Sequence, residues 1–311
     1  MITNKKYAGV DVSKSKLDVN FKQGALVAPN QPAELKAMLR QLLDMFPGIH
    51  FVCEPTGGYE LPLVECCHEA GVPVSVVNPK KIRDFAGAKG QLAKTDEIDA
   101  RTIREFGEVF DPLPEPVPSE NLRRLSAAVR RKAKLTAILA SEKTTLDKIS
   151  DAFVKNDLEV NIRHLKRRLA ECEKQIQNLI ASDADFVAKK RQMEQVKGVG
   201  PGLSSVLIAE MPELGAISDK KVARLVGVAP LNRDSGKWRG TRTIHGGRSL
   251  VRRSLYMPAL TAAMHNPILK AFYQRLRAKN KPHHVAITAV IRKMICLINR
   301  VLSDPTFTPA K

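Results

Sequence analysis

Hydrophobic positions in the first hundred residues alternate between two spacings, one typical of strands and the other of helices. Short apolar runs predict buried strands at 7–12, 17–21, 49–53 and 72–77. Periodic spacing predicts helices over 32–45, 61–67 and 95–108, the last with Thr95 as its N-cap. A short polar link between the first two strands predicts a hairpin. This alternation of strands and helices predicts an α/β sheet.

The pattern changes after residue 110. Alternating prolines through 111–119 predict a stiff, extended spacer and a domain boundary. Residues 120–153 are predicted to be helical, and a heptad seam of apolar or cysteine positions follows. Its members are residues 158, 162, 165, 169, 172, 176 and 179. The seam predicts a coiled-coil arm, although a helix in an ordinary bundle satisfies the same pattern. Further helices are predicted over 249–264, 267–278 and 284–302.

These patterns divide the chain into five segments. They are an α/β domain at 1–110, a linker at 111–119, an arm at 120–185, a mostly helical C-terminal domain at 186–303 and a tail at 304–311. No apolar run is long enough to span a membrane, and we expect no signal peptide. The five cysteines include no CxxC pair, which favours a reducing cytoplasm over a disulfide framework or a zinc ribbon.

Charge is distributed unevenly along the chain. The sequence has 51 Lys and Arg against 32 Asp and Glu, a formal net charge of +19. Residues 1–110 are neutral, whereas 220–303 carry 18 Lys or Arg and a single acid, Asp234. Such an excess favours a polyanionic partner, of which nucleic acid is the commonest. An acidic protein or lipid surface is the alternative, but no basic helix with aromatic anchors supports a lipid.

Four acids in the first half form a candidate metal site. Asp11 lies within a predicted strand, and Glu54 ends another. Asp96 and Asp99 lie three residues apart on a predicted helix, so they project from one face. Carboxylates without His or Cys partners select Mg²⁺ or Mn²⁺, and two such ions position the oxygens of a phosphate. Each acid alone is more often a surface residue than a metal ligand, so the order of the four carries the prediction.

A glycine-rich turn and a basic loop in the second half are candidate nucleic-acid contacts. Residues 196–205 predict a helix-hairpin-helix whose backbone approaches phosphate, although a glycine C-cap before a second helix gives the same sequence. Ser235 lies in a loop rich in arginine, where guanidinium groups would stabilise a serine nucleophile. Spacing alone does not select it over Ser249 or Ser254. The candidate contacts are Lys197, Gly198, Gly200, Arg233, Lys237, Arg239, Arg242, Arg248, Arg252 and Arg253.

Three aromatic or histidine features have two interpretations each. Trp238 either stacks on a base or is a buried anchor. Tyr256 is expected in the core, with a phosphate contact as the alternative. His283 and His284 are expected in a basic loop, as phosphate contacts or a surface pair rather than a metal site.

Several motifs together resemble a known family. They are Gly9-Val10-Asp11-Val12-Ser13-Lys14, Cys53-Glu54-Pro55-Thr56-Gly57, Lys94-Thr95-Asp96-Glu97-Ile98-Asp99-Ala100-Arg101, Asp234-Ser235-Gly236 and 250–259. The sequence resembles the DEDD transposases of the IS110 family, which includes the IS1111 group, over about residues 6 to 302. The resemblance implies an RNase H fold of the RuvC type for the N-terminal domain. It also implies that Asp11, Glu54, Asp96 and Asp99 hold Mg²⁺, and that Ser235 is the nucleophile.

The family further implies a mechanism and partners. Ser235 would attack a DNA phosphate to give a covalent serine–DNA link, and strand exchange would reverse that attack. The implied partners are DNA at the element ends and target, an element-encoded noncoding guide RNA, and further copies of the chain, with dimers assembling into a tetramer. A bacterial cytoplasmic protein is implied, associated with the nucleoid when DNA is bound.

Three other functions stay open at this point. A structure-selective nuclease of the Holliday-junction resolvase type would use the same acids with water as the nucleophile. An ATP-binding domain of the actin type is suggested by Gly9 to Ser13, which also resembles a phosphate loop, but it gives no role to the basic segment. A non-enzymatic packaging role requires that Asp11 and Asp96 be dispensable.

Overall fold

The chain folds as two units. The computed structural model describes residues 6–91, 95–232, 234–236, 238–240, 242–304 and 306–309, with the side chain of Arg239 left out. The first unit extends from Met1 to Val117 and the second from Pro118 to Lys311. No helix within the described part of the chain is long and apolar enough to cross a membrane.

The first unit is a five-stranded mixed sheet between two layers of helices. Its elements are β1 (Tyr7–Val12), β2 (Lys16–Phe21), β3 (Gly24–Pro29), α1 (Pro32–Met45), β4 (His50–Cys53), α2 (Leu61–Glu69), β5 (Val74–Val76), α3 (Pro79–Ala88) and α4 (Asp96–Phe110). The strand order is β3-β2-β1-β4-β5, antiparallel among the first three and parallel from β1 to β5. This arrangement is consistent with the predicted RNase H-like fold.

Alternation along β1 assigns its residues to the two layers. Ala8, Val10 and Val12 belong to the core that includes buried residues of α1 and α2. Tyr7 belongs to a second core, with Phe106 of α4. Since successive side chains of a strand point to opposite faces, Gly9 and Asp11 share the face of Tyr7, on which α4 packs.

Gly9 allows α4 to lie directly against β1. A Cβ atom at Gly9 would lie 2.1 Å from the carbonyl oxygen of Ala100 and 2.2 Å from the backbone nitrogen of Arg104. At the other end, a Cβ atom at Gly107 would lie 2.8 Å from the Tyr7 ring. The helix therefore runs antiparallel to β1, and its N-terminus lies at the carboxyl end of the strand.

The second unit is helical apart from one small hairpin. Its elements are α5 (Glu120–Leu146), α6 (Ala152–Ala181), α7 (Ala184–Met193), α8 (Pro201–Glu210), α9 (Asp219–Val226), β6 (Asp234–Ser235), β7 (Trp238–Arg239), α10 (Ser249–Ser254), α11 (Tyr256–His265), α12 (Pro267–Ala278) and α13 (His283–Ser303). α5 and α6 pack together as a long helical hairpin. The heptad seam lies on its inner side, where Leu158, Ile162, Leu165, Ile176 and Leu179 are buried.

Several boundaries differ from those predicted. The helix expected over 120–153 ends at Leu146, and Asp151 caps a new one by accepting from the Val154 amide at 2.9 Å. The helix expected over 249–264 is interrupted at Leu255, because Pro258 has no amide for the carbonyl of Ser254. Strand β3 and helices α3 and α9 were not predicted.

The proline-rich stretch is partly bound to the first unit. The Ser75 hydroxyl donates to the carbonyl oxygens of Pro112 and Leu113, at 3.2 and 2.8 Å. The Glu115 amide donates to the Val74 carbonyl at 2.7 Å. The start of the predicted linker therefore lies along β5, and the division between the units falls at Val117.

Candidate active site

The carboxyl edge of the first sheet brings Asp11 and Glu54 together. β1 and β4 are parallel, with Val10 opposite Cys53, so Asp11 and Glu54 are the next positions in register. Neighbouring strands lie about 4.8 Å apart, and these two positions share the α4 side of the sheet. Both residues are half-buried.

Helix α4 adds the other two acids to this edge. Thr95 caps the helix as predicted, with its hydroxyl accepting from the Ile98 amide at 3.3 Å. Asp96 and Asp99 lie in the first turn, immediately before Ala100, whose carbonyl covers Gly9. We call the positions Asp11, Glu54, Asp96 and Asp99 the acidic edge.

Lys16 forms ion pairs with two carboxylates, one of which belongs to the acidic edge. Lys16 Nζ lies 2.9 Å from a carboxylate oxygen of Asp18 and 3.1 Å from one of Asp96. Asp18 is the antiparallel partner of Asp11, so the two share a face. Hydrogen bonds to Asp18 and then Asp96 raise the pKa of Lys16. Neither Lys16 nor Asp18 was singled out from the sequence, although polar residues at alternating positions of β2 are a signal visible there.

The acidic edge matches a divalent-cation site in donor chemistry, because its four side chains are all carboxylates and their positions lie at the carboxyl end of β1 and β4. The side chains are not closed around an ion, however. Within the described part of the chain, no three His, Cys, Asp or Glu side chains are grouped so that they could hold a metal. One of the four carboxylates, Asp96, is paired with Lys16.

The predicted glycine turn connects α7 to α8 in the second unit. Gly198 has φ +105°, and a Cβ atom there would lie 2.9 Å from the Cβ of Ala262. Packing against α11 therefore requires glycine at this position, independently of any phosphate. Gly200 is the N-cap of α8, with Pro201 at its first position, and Lys197 is exposed.

Ser235 lies on an exposed two-residue strand. It pairs with Trp238 across the β6–β7 hairpin. Trp238 is 63% exposed, so its interpretation as a buried anchor is wrong. Asp234 forms two bonds with Arg242, at 2.5 and 2.8 Å, and they lower the pKa of the Asp234 carboxyl.

The predicted basic contacts differ in what they bind within the chain. Arg248 forms a bidentate ion pair with Glu213, at 2.7 and 2.5 Å. Arg252 donates to the carbonyls of Gly246 and Val226, at 2.5 and 3.2 Å. Arg253 is exposed. Arg233 and Lys237 lie outside the described residues, and the description of Arg239 covers its backbone alone.

Two further predictions need correction. Tyr256 is 42% exposed at the start of α11 and is not a core residue, because the helix turns its apolar face with Ala259 and Ala262 inward. His283 and His284 form the first turn of α13 rather than a loop, and the Tyr273 hydroxyl lies 2.8 Å from His283 Nδ1.

Comparison with known proteins identifies the family. A DEDD transposase model of the IS110 type matches residues 8–154, and a model described as "Transposase IS116/IS110/IS902 family" matches residues 190–274. The chain belongs to the IS110 transposase family. As a member, it is a transposase or site-specific recombinase, an enzyme that cleaves and rejoins DNA strands. The family also suggests dependence on a divalent metal.

Relatives cover nearly the whole length of this family member. The "Pilin gene-inverting protein" of Moraxella bovis is 26% identical over 310 residues, which is 96% of each chain. The protein of the same name from Moraxella lacunata has the same identity and coverage. An "Insertion element IS110 uncharacterized 43.6 kDa protein" of Streptomyces coelicolor is 26% identical over 117 residues, 37% of this chain and 29% of its own.

Proposed function

We propose that this IS110-family protein is the transposase of an insertion sequence and exchanges DNA strands through a covalent serine–DNA intermediate. The observation that carries the proposal is the acidic edge, where four carboxylate positions meet at one end of an RNase H-like sheet. The gene-inverting relatives support site-specific exchange, since inversion requires both cutting and rejoining.

Asp11, Glu54, Asp96 and Asp99 would hold the divalent cation. Mg²⁺ fits these ligands, and Mn²⁺ is the usual substitute. When bound, such an ion supplies positive charge that stabilises a reacting phosphate. The carboxylates themselves orient the ion, and Thr95 fixes the helix turn that bears two of them.

Ser235 would supply the attacking oxygen. Its Oγ forms a bond to the phosphorus while the bond to the leaving strand breaks, so that strand departs with a free hydroxyl. Attack of a hydroxyl from another strand then restores the serine, with no net bond energy lost. The exposed hairpin leaves Ser235 accessible to a DNA backbone.

The partners follow from the charge of the second unit. No Asp or Glu occurs between Asp234 and Asp304. We propose that this basic region binds element-end and target DNA, together with a noncoding guide RNA encoded by the element. Arg242 and Arg253 in this region, and Lys197 before it, would contact nucleic acid, and the protein would act as dimers that assemble into a tetramer.

A structure-selective nuclease is the second candidate. It is favoured by the location of all four acids in the first unit, which suffices for attack by water without Ser235. The two proposals differ in whether a protein–DNA bond forms.

The distinguishing experiment incubates the full chain with element-end DNA, its flanking transcript and Mg²⁺, followed by a denaturing gel. We expect a protein–DNA adduct with wild type and none with Ser235→Ala. Ser249→Ala is the matched control, since this exposed serine in the same region should leave the adduct intact. Recombination without any adduct would remove the serine mechanism and favour the nuclease.

A further inference from the structure

Two polar side chains outside the acidic edge form hydrogen bonds with the loops that follow β1 and β4. We propose that Asn30 and Glu60 are positioning residues, which fix the loops after Asp11 and Glu54 and so set the geometry of the cation site. This inference rests on the proposed function, because it assigns supporting residues to the proposed site.

Asn30 connects the two loops to each other. Its side-chain nitrogen donates to the carbonyl of Ser13, two residues after Asp11, and to the carbonyl of Tyr59, five residues after Glu54, both at 2.9 Å. Its backbone amide donates to the Ser15 carbonyl at 3.0 Å. One amide group therefore bridges the exits of β1 and β4.

The orientation of the Asn30 amide is fixed by its partners. Both are carbonyl oxygens, which accept only, so the NH₂ group must face them. The Asn30 Oδ1 atom is buried and has no hydrogen-bond partner among the described residues. A buried acceptor without a partner is unfavourable. The two hydrogen bonds that the Asn30 side chain makes therefore both come from its NH₂ group.

Glu60 follows Glu54 in the same loop, and its carboxylate accepts hydrogen bonds from residues of that loop. Its Oε2 atom accepts from the amides of Thr56 and Gly58, both at 2.9 Å, and from the Thr56 hydroxyl at 3.2 Å. These donors lie beyond the last paired residue of β4, where no neighbouring strand constrains the backbone. The carboxylate of Glu60 therefore replaces the missing strand contacts just after Glu54.

The two residues act on geometry rather than on the core. Pairing between β1 and β4 ends at Val10 and Cys53. Asp11 is still paired with Asp18 of β2, whereas Glu54 lies beyond the last paired residue of β4. Ligand sets for a cation depend on outer residues for their orientation, and loss of such residues costs roughly 10- to 100-fold in metal affinity. Neither Asn30 nor Glu60 belongs to a hydrophobic core, so their replacement should leave the sheet folded.

The test measures Mn²⁺ binding to the full chain by calorimetric titration, with circular dichroism as the check on folding. Asn30→Asp keeps the shape but places an oxygen against two carbonyls, and Glu60→Ala removes the acceptor. We expect each to weaken Mn²⁺ binding by about tenfold or more, with unchanged spectra. Glu60→Gln should lose less than Glu60→Ala, because its amide oxygen still accepts. Excess Mn²⁺ should restore adduct formation in all three.

The control is Asp44→Asn, the same carboxylate-to-amide change on an exposed residue near the end of α1. This helix end leads into the amino end of β4, whereas the acidic edge lies at the carboxyl ends of β1 and β4. The control should therefore bind Mn²⁺ like wild type.

Asp11→Asn separates failure of this inference from failure of the proposed site. If Asp11→Asn abolishes binding while Asn30→Asp and Glu60→Ala bind normally, the positioning role is wrong and the site stands. If Asp11→Asn also binds normally, both are wrong. If Asn30→Asp and Glu60→Ala unfold, Asn30→Ala and Glu60→Asp decide, because the first removes both donors without adding a repelling oxygen and the second draws the carboxylate back from its donors. Mn²⁺ binding like wild type by either variant overturns the role of that residue.

Discussion

At the scale of single residues, the proposed divalent ion and the Lys16 ammonium would compete for the Asp96 carboxylate. Lys16 bonds to Asp96 and Asp18, and the proposed divalent ion would need the same Asp96 carboxylate. Binding of that ion would therefore displace one of the two bonds of the Lys16 ammonium. Because both residues of the pair with Asp96 are substantially exposed, the competition is weak and is screened by salt.

Lys16→Met should consequently strengthen the binding of Mn²⁺. We expect an affinity about two- to fivefold higher at low salt, since the competing charge is lost and an exposed ion pair is weak. Titration at two salt concentrations measures this. Lys36→Met is the matched control, because Lys36 pairs with Glu69 at 2.8 Å on helices α1 and α2. Unchanged or weaker binding by Lys16→Met would contradict the competition.

Arg248 is expected to act on stability. Burial opposes ionisation of Glu213, but the hydrogen bonds and charge of Arg248, together with a backbone hydrogen bond, outweigh it and lower the pKa of the carboxyl. Arg248→Met should lower the melting temperature by about 2–4 °C at pH 7, which is about 1 kcal/mol for a partly exposed pair. A lowered pKa stabilises the fold above the ordinary carboxyl pKa near 4.3 and ceases to do so as pH falls through the folded value.

The difference between Arg248→Met and wild type should therefore shrink below about pH 4. Melting curves across pH test this. A difference that persists unchanged in acid would show that the pair with Glu213 is not its cause.

At the scale of elements, most strands and helices of the first unit were predictable from the sequence, but the register in which the strands pair was not. The alternation of apolar runs predicted four strands and three helices, because each is buried on a regular period. Strand β3 escaped, since it lies at the sheet edge, ends in Pro29 and buries one residue, Ala28. The four acids were singled out through their motifs, whereas the bond of Lys16 to Asp96 and the loop contacts of Asn30 and Glu60 are not revealed by spacing.

Gly9→Ala should separate α4 from β1. Its methyl group would lie 2.1 Å from a backbone oxygen, which cannot move without shifting the helix. We expect a loss of about 3 kcal/mol in the free energy of unfolding, together with weaker binding of Mn²⁺. Denaturant titration gives the free energy. Gly200→Ala serves as the comparison, because a Cβ atom there meets nothing within 4 Å, and an equal loss in both variants would refute the steric argument.

At the scale of the whole molecule, the four acids and the excess of basic residues lie in different units. The first holds the acidic edge, and the second holds the basic region with Ser235. The charge excess was readable directly from the sequence. Which arginines are exposed was not, because Arg248 and Arg252 are engaged within the fold whereas Arg253 is exposed.

Arg253→Gln should weaken DNA binding in a way that depends on salt. Loss of one phosphate contact lowers the slope of log affinity against log salt by about one, without changing the melting temperature. Affinity measured at several salt concentrations tests this. Arg248→Gln should give the reverse, a lower melting temperature with an unchanged slope, and an identical slope for Arg253→Gln and wild type would exclude that contact.

The central claim is that the hydroxyl of Ser235 becomes bonded to DNA in a reaction that needs the acidic edge. Its most direct test is mass spectrometry of peptides from the adduct trapped with element-end DNA, transcript and Mg²⁺. We predict that the nucleotide remnant lies on Ser235, and that Asp11→Asn yields none. A remnant on another residue, or complete strand exchange without one, would contradict the account.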